Sequence, residues 1–278
     1  MKSIKMIDNL AVAIPTCCCK PGDIRIGYGL QSLAMQTPIN NVKCLDIFIW
    51  DEGPVPIVSD RWTRLIIDLL IQRGNTVSYF RRNPSHGVAA ARKGLLNEIT
   101  AKHDFILMVD DDLLVMPGAI EQLLNAVEKV ETFGFLQGTK IELDQQRIYH
   151  NDINRLNRKR DSQSIERLYF GDAAFLLVHK EALRHVRWDI VTKFREEGLA
   201  GEDVAISLMI SDKLPCFGVP DAVGYHLSFE KPRWNWESTS DVLQIELLKG
   251  VVSDETLKAA LPHLAHYLGI EKKEIKNS

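Results

Sequence analysis

The sequence predicts an α/β protein with a mostly parallel central sheet that helices cover on both faces. Strand-like and helix-like patterns alternate through the first half of the chain, as expected when helices form the crossovers between parallel strands. The predicted strands are also short apolar runs, such as residues 10–14 (LAVAI) and Phe105–Val109 (FILMV). Such uninterrupted runs are typical of strands that are buried on both faces.

The elements of the first half follow from turn and cap signals. The strand at 10–14 is expected to stop at Pro15, and a second strand at 44–50 leads into an Asp-Glu-Gly-Pro turn. Ser59 or Asp60 can cap the helix that comes next, whose apolar residues repeat at helical spacing. The alternation is completed by a strand at 77–80, a helix at 88–100, the strand at 105–109 and a helix opened by Pro117.

The second half contains fewer regular patterns. Its predicted elements are strands at 133–140, 169–178 and 216–219, a helix-like segment at 204–210, and carboxyl-terminal helices at 240–248 and 254–268. The chain carries 34 Lys and Arg against 37 Asp and Glu, a net charge of −3, so any affinity for polyanions must come from a local patch. We find no signal peptide and no run of about 18 apolar residues, and therefore expect a cytoplasmic location.

Three adjacent carboxylates, Asp110, Asp111 and Asp112, follow directly on the predicted strand at 105–109. In open α/β sheets, ligands bind at the carboxyl ends of the strands. Adjacent carboxylates repel one another, and a bound Mg²⁺ or Mn²⁺ removes that repulsion. In an extended chain, Asp110 and Asp112 would point to one side and Asp111 to the other. Such a cluster is also compatible with a solvated turn or a helix cap.

Several motifs in order resemble those of the GT-A glycosyltransferases, specifically the inverting family 2. The resemblance runs from about residue 10 to residue 230. The motifs are AIPT at 13–16, WDEG at 50–53, NPSHG at 83–87 with AARKG at 90–94, the aspartate triplet at 110–112, and GEDV at 201–204. The chain departs from the family at Lys93, where Asn is usual, and at the segment 52–54 (EGP), where the family has a D-G-S type turn. It also lacks an evident Q-x-x-R-W motif, so processive polysaccharide synthesis is not expected.

The resemblance implies a GT-A catalytic domain at 1–236 and a role for each matching residue. The domain would consist of a nucleotide-sugar half at about 1–115 and an acceptor half at about 116–236, followed by a helical extension at 237–278. Asp112 would hold Mn²⁺ or Mg²⁺, a histidine at His226 would complete the metal site, and Asp203 would be the catalytic base. The residues implied to contact the nucleotide sugar are Pro15, Thr16, Asp51, His86, Arg92, Asp110 and Asp111. Those implied to meet the donor sugar or the acceptor are Asp172, Glu202, Trp234 and Trp236.

Some of these residues have simpler interpretations. Glu202 or Asp203 is suited to cap the helix-like segment that follows. Arg92 is compatible with a solvated helix face, His86 with a turn, and His226 with a buried, hydrogen-bonded histidine.

The predicted reaction is inverting transfer of a sugar from a nucleotide-diphosphate sugar, most often UDP in such proteins, to an acceptor hydroxyl. The acceptor is open between a glycan, a lipid-linked sugar, a protein side chain and a hydroxymethylated DNA base. The DNA option depends on two features. One is the tryptophan-rich loop with Trp234 and Trp236, and the other is the segment at 147–167, which contains six Lys and Arg but only three acidic residues. We also expect the carboxyl-terminal helices to pack on the catalytic domain or to mediate self-association.

Other functional classes fit the sequence less well. A nucleotidyltransferase acting on sugar phosphates needs a glycine-rich phosphate loop after its first strand, and Cys-Cys-Cys-Lys-Pro-Gly at 17–22 is a poor one. A haloacid-dehalogenase-like phosphatase places its aspartates after the first strand rather than near residue 110. A non-catalytic nucleotide-sugar-binding protein remains an alternative, although Asp203 and the triplet favour an enzyme.

Overall fold

The computed structural model describes residues 7–17, 25–36, 39–40, 42–82, 84–142, 148–149, 165–196, 201–227 and 248–267. Within them the strands form one ten-stranded sheet. The strands are β1 Ile7–Thr16, β2 Val42–Asp51, β3 Thr76–Arg81, β4 Phe105–Val109, β5 Leu113–Val115, β6 Phe135–Glu142, β7 Ile148–Tyr149, β8 Glu166–Leu168, β9 Phe175–His179 and β10 Cys216–His226.

The sheet has a parallel half and a mixed half. The strand order is β3-β2-β1-β4-β9-β6-β10-β5, with β7 beside β6 and β8 beside β10. The first four strands are parallel to one another. Strand β9 is antiparallel to β4 and β6, β10 is parallel to β6, and β5 is antiparallel to β10. The predicted α/β class is therefore confirmed, with the parallel pairing concentrated in the first half of the chain.

Helices cover both faces of the sheet. They are α1 Arg25–Ala34, α2 Arg61–Gln72, α3 Val88–Thr100, α4 Ala119–Lys129, α5 Trp188–Glu196, α6 Glu202–Ser211 and α7 Asp254–Tyr267. Alternate residues of β1 enter two separate cores: Leu10 and Val12 pack with α1, α2 and α4, whereas Ala11 and Ala13 pack with α3 and α6. Burial on both faces explains why this strand is apolar without interruption from Leu10 to Ile14.

Most predicted boundaries in the first half are close to the observed ones. The side chain of Asp60 accepts a hydrogen bond from the backbone N–H of Thr63 at 2.7 Å, so Asp60 caps α2. Helix α3 and strand β4 have the predicted bounds. Strand β1 continues past Pro15 to Thr16. Strand β10 likewise continues past its predicted end at Val219 to His226, with an irregularity after Val219.

Helix α1 was not predicted, and it supports the segment that follows the aspartate triplet. The amide of Gln36, just beyond the helix, donates to the carbonyl oxygens of Val115 and Met116, both at 2.9 Å. The hydroxyl of Ser32 accepts from the N–H of Val115, also at 2.9 Å. A Cβ atom at Gly29 would lie 3.2 Å from the carbonyl oxygen of Asp111. Helix α1 therefore packs directly on the segment from Asp111 to Met116.

The carboxyl-terminal helix α7 packs on α6. The hydroxyl of Ser253 accepts from the N–H of Thr256, so Ser253 caps α7, and the N–H of Ser253 donates to Asp212 at 3.0 Å. Residues 237–247 and 268–278 of the predicted helical extension lie outside the described residues. In the part of the chain that the structure describes, no helix is long and apolar enough to cross a membrane.

Candidate active site

The aspartate triplet lies where β4 leaves the sheet. The N–H of Asp110 donates to the carbonyl oxygen of Ala174 at 3.1 Å, and the N–H of Leu113 donates back to the carbonyl of Asp110 at 3.2 Å. The backbone therefore turns here, instead of remaining extended as expected. The turn still separates the carboxylates, because Asp111 accepts from the hydroxyl of Thr16 at 2.6 Å. Asp110 and Asp112 belong to a different cluster.

Asp110, Asp112 and His226 form a possible metal site. Each offers one ligand atom, and these atoms all lie within 4.8 Å of one another. Nε2 of His226 is 2.9 Å from Oδ1 of Asp112, which is fully buried. The antiparallel pairing of β10 with β5 sets His226 opposite Leu113, and the N–H of Leu227 donates to the carbonyl of Asp112 at 2.7 Å. The sheet therefore brings the histidine to the aspartates.

Two cations near this cluster have different environments. Nη1 of Arg25, at the start of α1, is 3.8 Å from Oδ2 of Asp112. Arg92, on α3, is only 5% exposed, and its Nη2 donates to Oδ1 of Asp110 at 2.9 Å. Its Nε lies 3.5 Å from Oε1 of Glu202. Burial alone would lower the pKa of Arg92, but the charges of Asp110 and Glu202 outweigh it and raise that pKa. Arg92 is thus a buried ion-paired residue, which excludes the solvated helix face.

Glu202 and Asp203 lie in the first turn of α6. The residue at the N-cap is Gly201, in a left-handed conformation with φ of 89°, and no side chain caps the helix. Oδ1 of Asp203 accepts from the N–H of Val204 at 2.8 Å. Burial, followed by the charges of Glu202 and Asp172, raises the pKa of Asp203 well above its ordinary value. Burial also raises the pKa of Glu202. These carboxyl groups bind a proton more strongly than exposed ones do.

Asp172 is held on the sheet side of the same site. Its carboxylate forms an ion pair with Nζ of Lys140 on β6 and accepts from the N–H of Ala174 at 2.8 Å. Its own N–H donates to Oε1 of Gln137 at 2.7 Å. Lys140 and Gln137 were not among the predicted site residues. Both are buried polar residues on a strand, and the sequence alone gives no sign that they reach this loop.

Asp51 is the centre of a hydrogen-bonded network in the part of the site that is predicted to contact the nucleotide. This carboxylate is fully buried and accepts from the N–H groups of Gly53 at 2.9 Å and Ile57 at 3.0 Å, and from the hydroxyl of Tyr79. Burial and the hydrogen bond to Asp51 raise the pKa of Tyr79. Pro15 is buried at the end of the adjacent strand β1. Asp51 therefore organises the loop after β2, and its predicted contact with a base stays a prediction.

Glu52 fixes the loop that carries His86. Its Oε2 accepts from the hydroxyl of Ser85 and from the N–H groups of His86 and Gly87, all within 2.8 Å. The side chain of His86 itself is exposed. Glu52 is one of the departures from the family motif, and its structural role was not predicted from the sequence.

Some predicted contacts lie outside the described residues. They are Trp234, Trp236 and most of the basic segment 147–167, and the motif residue Asn83 is also outside. Of that segment, Arg167 is described. Its guanidinium lies over the rings of Tyr169 at 5.8 Å and Phe217 at 6.0 Å.

Comparisons with known proteins agree with this fold. Residues 58–187 match the family model described as Glycosyl transferase family 2. No curated protein is significantly similar to this chain in sequence. The structure is similar to that of GalNAc-T7 with UDP, GalNAc and Mn²⁺, at a TM-score of 0.57 and 14% identity over 88% of this chain. This chain spans 48% of the length of that one.

A second similar structure is the mannosyltransferase PcManGT from Pyrobaculum calidifontis in complex with GDP-Man and Mn²⁺. The TM-score is 0.60 at 14% identity, over 93% of this chain and 69% of that one. The protein thus has the GT-A fold, and the matched segment resembles glycosyltransferase family 2. The comparisons therefore show a GT-A fold in which residues 58–187 match a glycosyltransferase family model.

Proposed function

We propose that this protein is a metal-dependent glycosyltransferase that moves a sugar from a nucleotide-diphosphate sugar to an acceptor hydroxyl with inversion. The observation that carries the proposal is the cluster of Asp110, Asp112 and His226 at the end of β4 in a GT-A fold. Ligand binding at the carboxyl edge of such a sheet agrees with the general behaviour of open α/β folds.

The donor atoms of this cluster fit Mn²⁺ or Mg²⁺. Carboxylate oxygens suit both ions, and an imidazole nitrogen is a good ligand for Mn²⁺. When bound, the ion would neutralise charge on the departing nucleoside diphosphate. Asp112 and His226 would hold it together with Asp110, and Arg25 lies beside Asp112 as a further cation for an anionic donor.

Asp203 is the proposed base that takes the proton from the acceptor hydroxyl. A general base works best when its pKa is not far below the working pH, and burial moves the pKa of Asp203 in that direction. In this proposal the acceptor oxygen attacks the anomeric carbon while Asp203 takes its proton, and the nucleoside diphosphate leaves from the opposite face. This single displacement inverts the anomeric configuration of the transferred sugar. Asp172 and Glu202 border the same space and would accept hydrogen bonds from sugar hydroxyls.

The proposed donor is a UDP-sugar, although the similar structures support two bases. One contains UDP and the other GDP-Man, and both contain Mn²⁺. In our proposal Pro15, Thr16, Asp51, His86 and Asp111 lie along the nucleotide. Trp234, Trp236 and the basic segment 147–167 remain candidate acceptor contacts for a glycan or a hydroxymethylated DNA base.

A thermal-shift panel of UDP- and GDP-sugars, with and without Mn²⁺, tests this proposal first. A ligand that binds only the folded state raises the melting temperature. We expect a shift for one nucleotide sugar that requires Mn²⁺. A response to nucleoside triphosphates alone would instead favour a nucleotidyltransferase.

Transfer by the Asp203→Asn variant is the second test. We expect it to bind the donor with unchanged affinity and to lose transfer to the acceptor. Asp189→Asn, in the first turn of α5, is the matched control because Asp189 is exposed and pairs with Arg187 away from the site. Full turnover by Asp203→Asn would contradict the assignment of the base, and donor binding without transfer by wild type to any acceptor would favour a binding protein.

A further inference from the structure

Arg92 contacts both parts of the proposed active site. Its Nη2 donates to Oδ1 of Asp110, which belongs to the metal cluster, at 2.9 Å. Its Nε lies 3.5 Å from Oε1 of Glu202, which begins α6 and precedes the proposed base Asp203. A single side chain on α3 therefore links the end of β4 to the start of α6.

The environment of Arg92 favours a fixed position. Its side chain is 6% exposed, and a planar guanidinium presents its donors in a rigid fork. Among the described residues, Nη1 and Nε of Arg92 are buried with no hydrogen-bond partner, so Nε contacts Glu202 as an ion pair and not through a hydrogen bond. Gly94, two residues further along α3, has no room for a Cβ, because that atom would lie 2.5 Å from the ring of Trp50. The ion pairs thus hold the guanidinium of Arg92 between the carboxylates of Asp110 and Glu202, while close packing against Trp50 holds α3.

We propose that Arg92 is a positioning residue that couples the metal site to the acidic turn carrying the proposed base. The inference rests on the proposed function and extends it. Arg92 orients the Asp110 carboxylate toward the metal. It also holds Glu202, and because Glu202 is the first residue of α6, this contact fixes the position of the start of α6 relative to the metal. Because coupling between two sites is reciprocal, a change at Glu202 alters metal affinity even though Glu202 is not in the metal cluster.

The test is a double-mutant cycle on binding of Mn²⁺ alone, measured by titration calorimetry. Loss of the partner that orients a metal ligand typically weakens metal binding about 10–100-fold, so we expect that loss for Arg92→Met. Arg92→Lys keeps the charge but not the fork, and it should give an intermediate affinity. Glu202→Gln should weaken Mn²⁺ binding about fivefold in the wild-type background, the lower end of typical coupling, and should have no such effect in Arg92→Met.

Asp203→Asn controls for charge in this experiment. It removes one ionisable carboxyl group from the same helical turn, whereas Arg92 contacts Glu202 rather than Asp203. Arg187→Lys is the control for Arg92→Lys, because it makes the same exchange in an exposed pair, where Nη2 of Arg187 lies 2.7 Å from Asp189. We expect Asp203→Asn to weaken Mn²⁺ binding less than Glu202→Gln, and Arg187→Lys to have no effect. The melting temperature of each variant identifies those that fail to fold.

Two results would overturn the coupling alone: equal effects of Glu202→Gln and Asp203→Asn, or an effect of Glu202→Gln that persists in Arg92→Met. Absence of Mn²⁺ binding by the wild-type protein would contradict the proposed metal site as well. The two failures are therefore distinguishable without knowing the donor.

Discussion

Nε2 of His226 lies 2.9 Å from Oδ1 of Asp112, although the two residues come from opposite halves of the chain. The antiparallel pairing of β5 with β10 produces this contact, because it sets His226 beside the strand that directly follows Asp112. The carboxylate of Asp112 is fully buried, so the imidazole contact reduces the cost of burying its charge. The same two groups are suited to hold a divalent cation.

His226→Ala is predicted to weaken Mn²⁺ binding by at least about 10–100-fold. Removing a residue that only hydrogen-bonds to a metal ligand already causes a loss of this size, and removing a ligand should cost no less. Binding of Mn²⁺ can be followed by calorimetry or by electron paramagnetic resonance. His103→Asn is the matched control, since His103 pairs with Asp46 at 3.4 Å among described residues outside the site. Equal affinities for wild type and His226→Ala would remove His226 from the metal site.

Asp203→Asn is predicted to be more stable than wild type at neutral pH. Burial raises the pKa of Asp203 above its ordinary value of 3.8. The folded protein therefore holds this proton more strongly than the unfolded chain, and stability falls as pH rises from about 4 through the raised pKa. Asparagine does not ionise, so the variant avoids that loss. Melting temperatures should diverge between pH 4 and pH 8, and parallel curves would contradict the raised pKa.

Gly29→Ala is predicted to weaken Mn²⁺ binding several-fold. The new Cβ would lie 3.2 Å from the carbonyl oxygen of Asp111 and 3.3 Å from that of Leu113, closer than usual contacts allow. Helix α1 or the aspartate turn must shift, although alanine favours a helix by about 1 kcal/mol over glycine. Gly27→Ala is the control on the same helix, because its Cβ would meet Trp62 at 2.7 Å instead. If both variants bind Mn²⁺ equally well, α1 does not position the triplet.

Asp212→Asn is predicted to destabilise the attachment of α7 by about 1.5–3 kcal/mol, the range for a hydrogen bond to a charged group. Burial alone would raise the pKa of Asp212, but hydrogen bonds from Lys213, Ser253 and Thr256 hold it below the ordinary value of 3.8. The associated stability is present above about pH 4 and is lost as pH falls further. Denaturant unfolding at pH 7 and pH 3 measures this. A difference from wild type that is no smaller at pH 3 would contradict it.

Local signals in the sequence predicted much of the parallel half. Helix α3 and strand β4 have strong periodicity or a continuous apolar run, so their bounds were found directly. Helix α1 was missed, although Ile26, Leu30 and Leu33 repeat at helical spacing. Its other face carries small or polar residues that contact β5, and these residues weaken the periodic pattern of apolar residues by which a helix is predicted.

The site was predictable only where a motif marks it. The aspartate triplet and Asp203 were found from adjacent acidic residues in a recognisable order. Lys140 was missed because lysine is seldom buried, and its partner Asp172 is distant in sequence. The contact between Arg92 and Glu202 is likewise tertiary, since it depends on how α3 and α6 pack on the same face of the sheet. No local pattern encodes such a pairing.

Titration of a UDP-sugar into wild type and Asp112→Ala, with Mn²⁺ and with chelator, tests the central claim most directly. We predict that wild type binds the donor only with Mn²⁺ and that Asp112→Ala binds it under neither condition. Tight binding that neither chelator nor Asp112→Ala changes would contradict a metal-dependent nucleotide-sugar site at the end of β4.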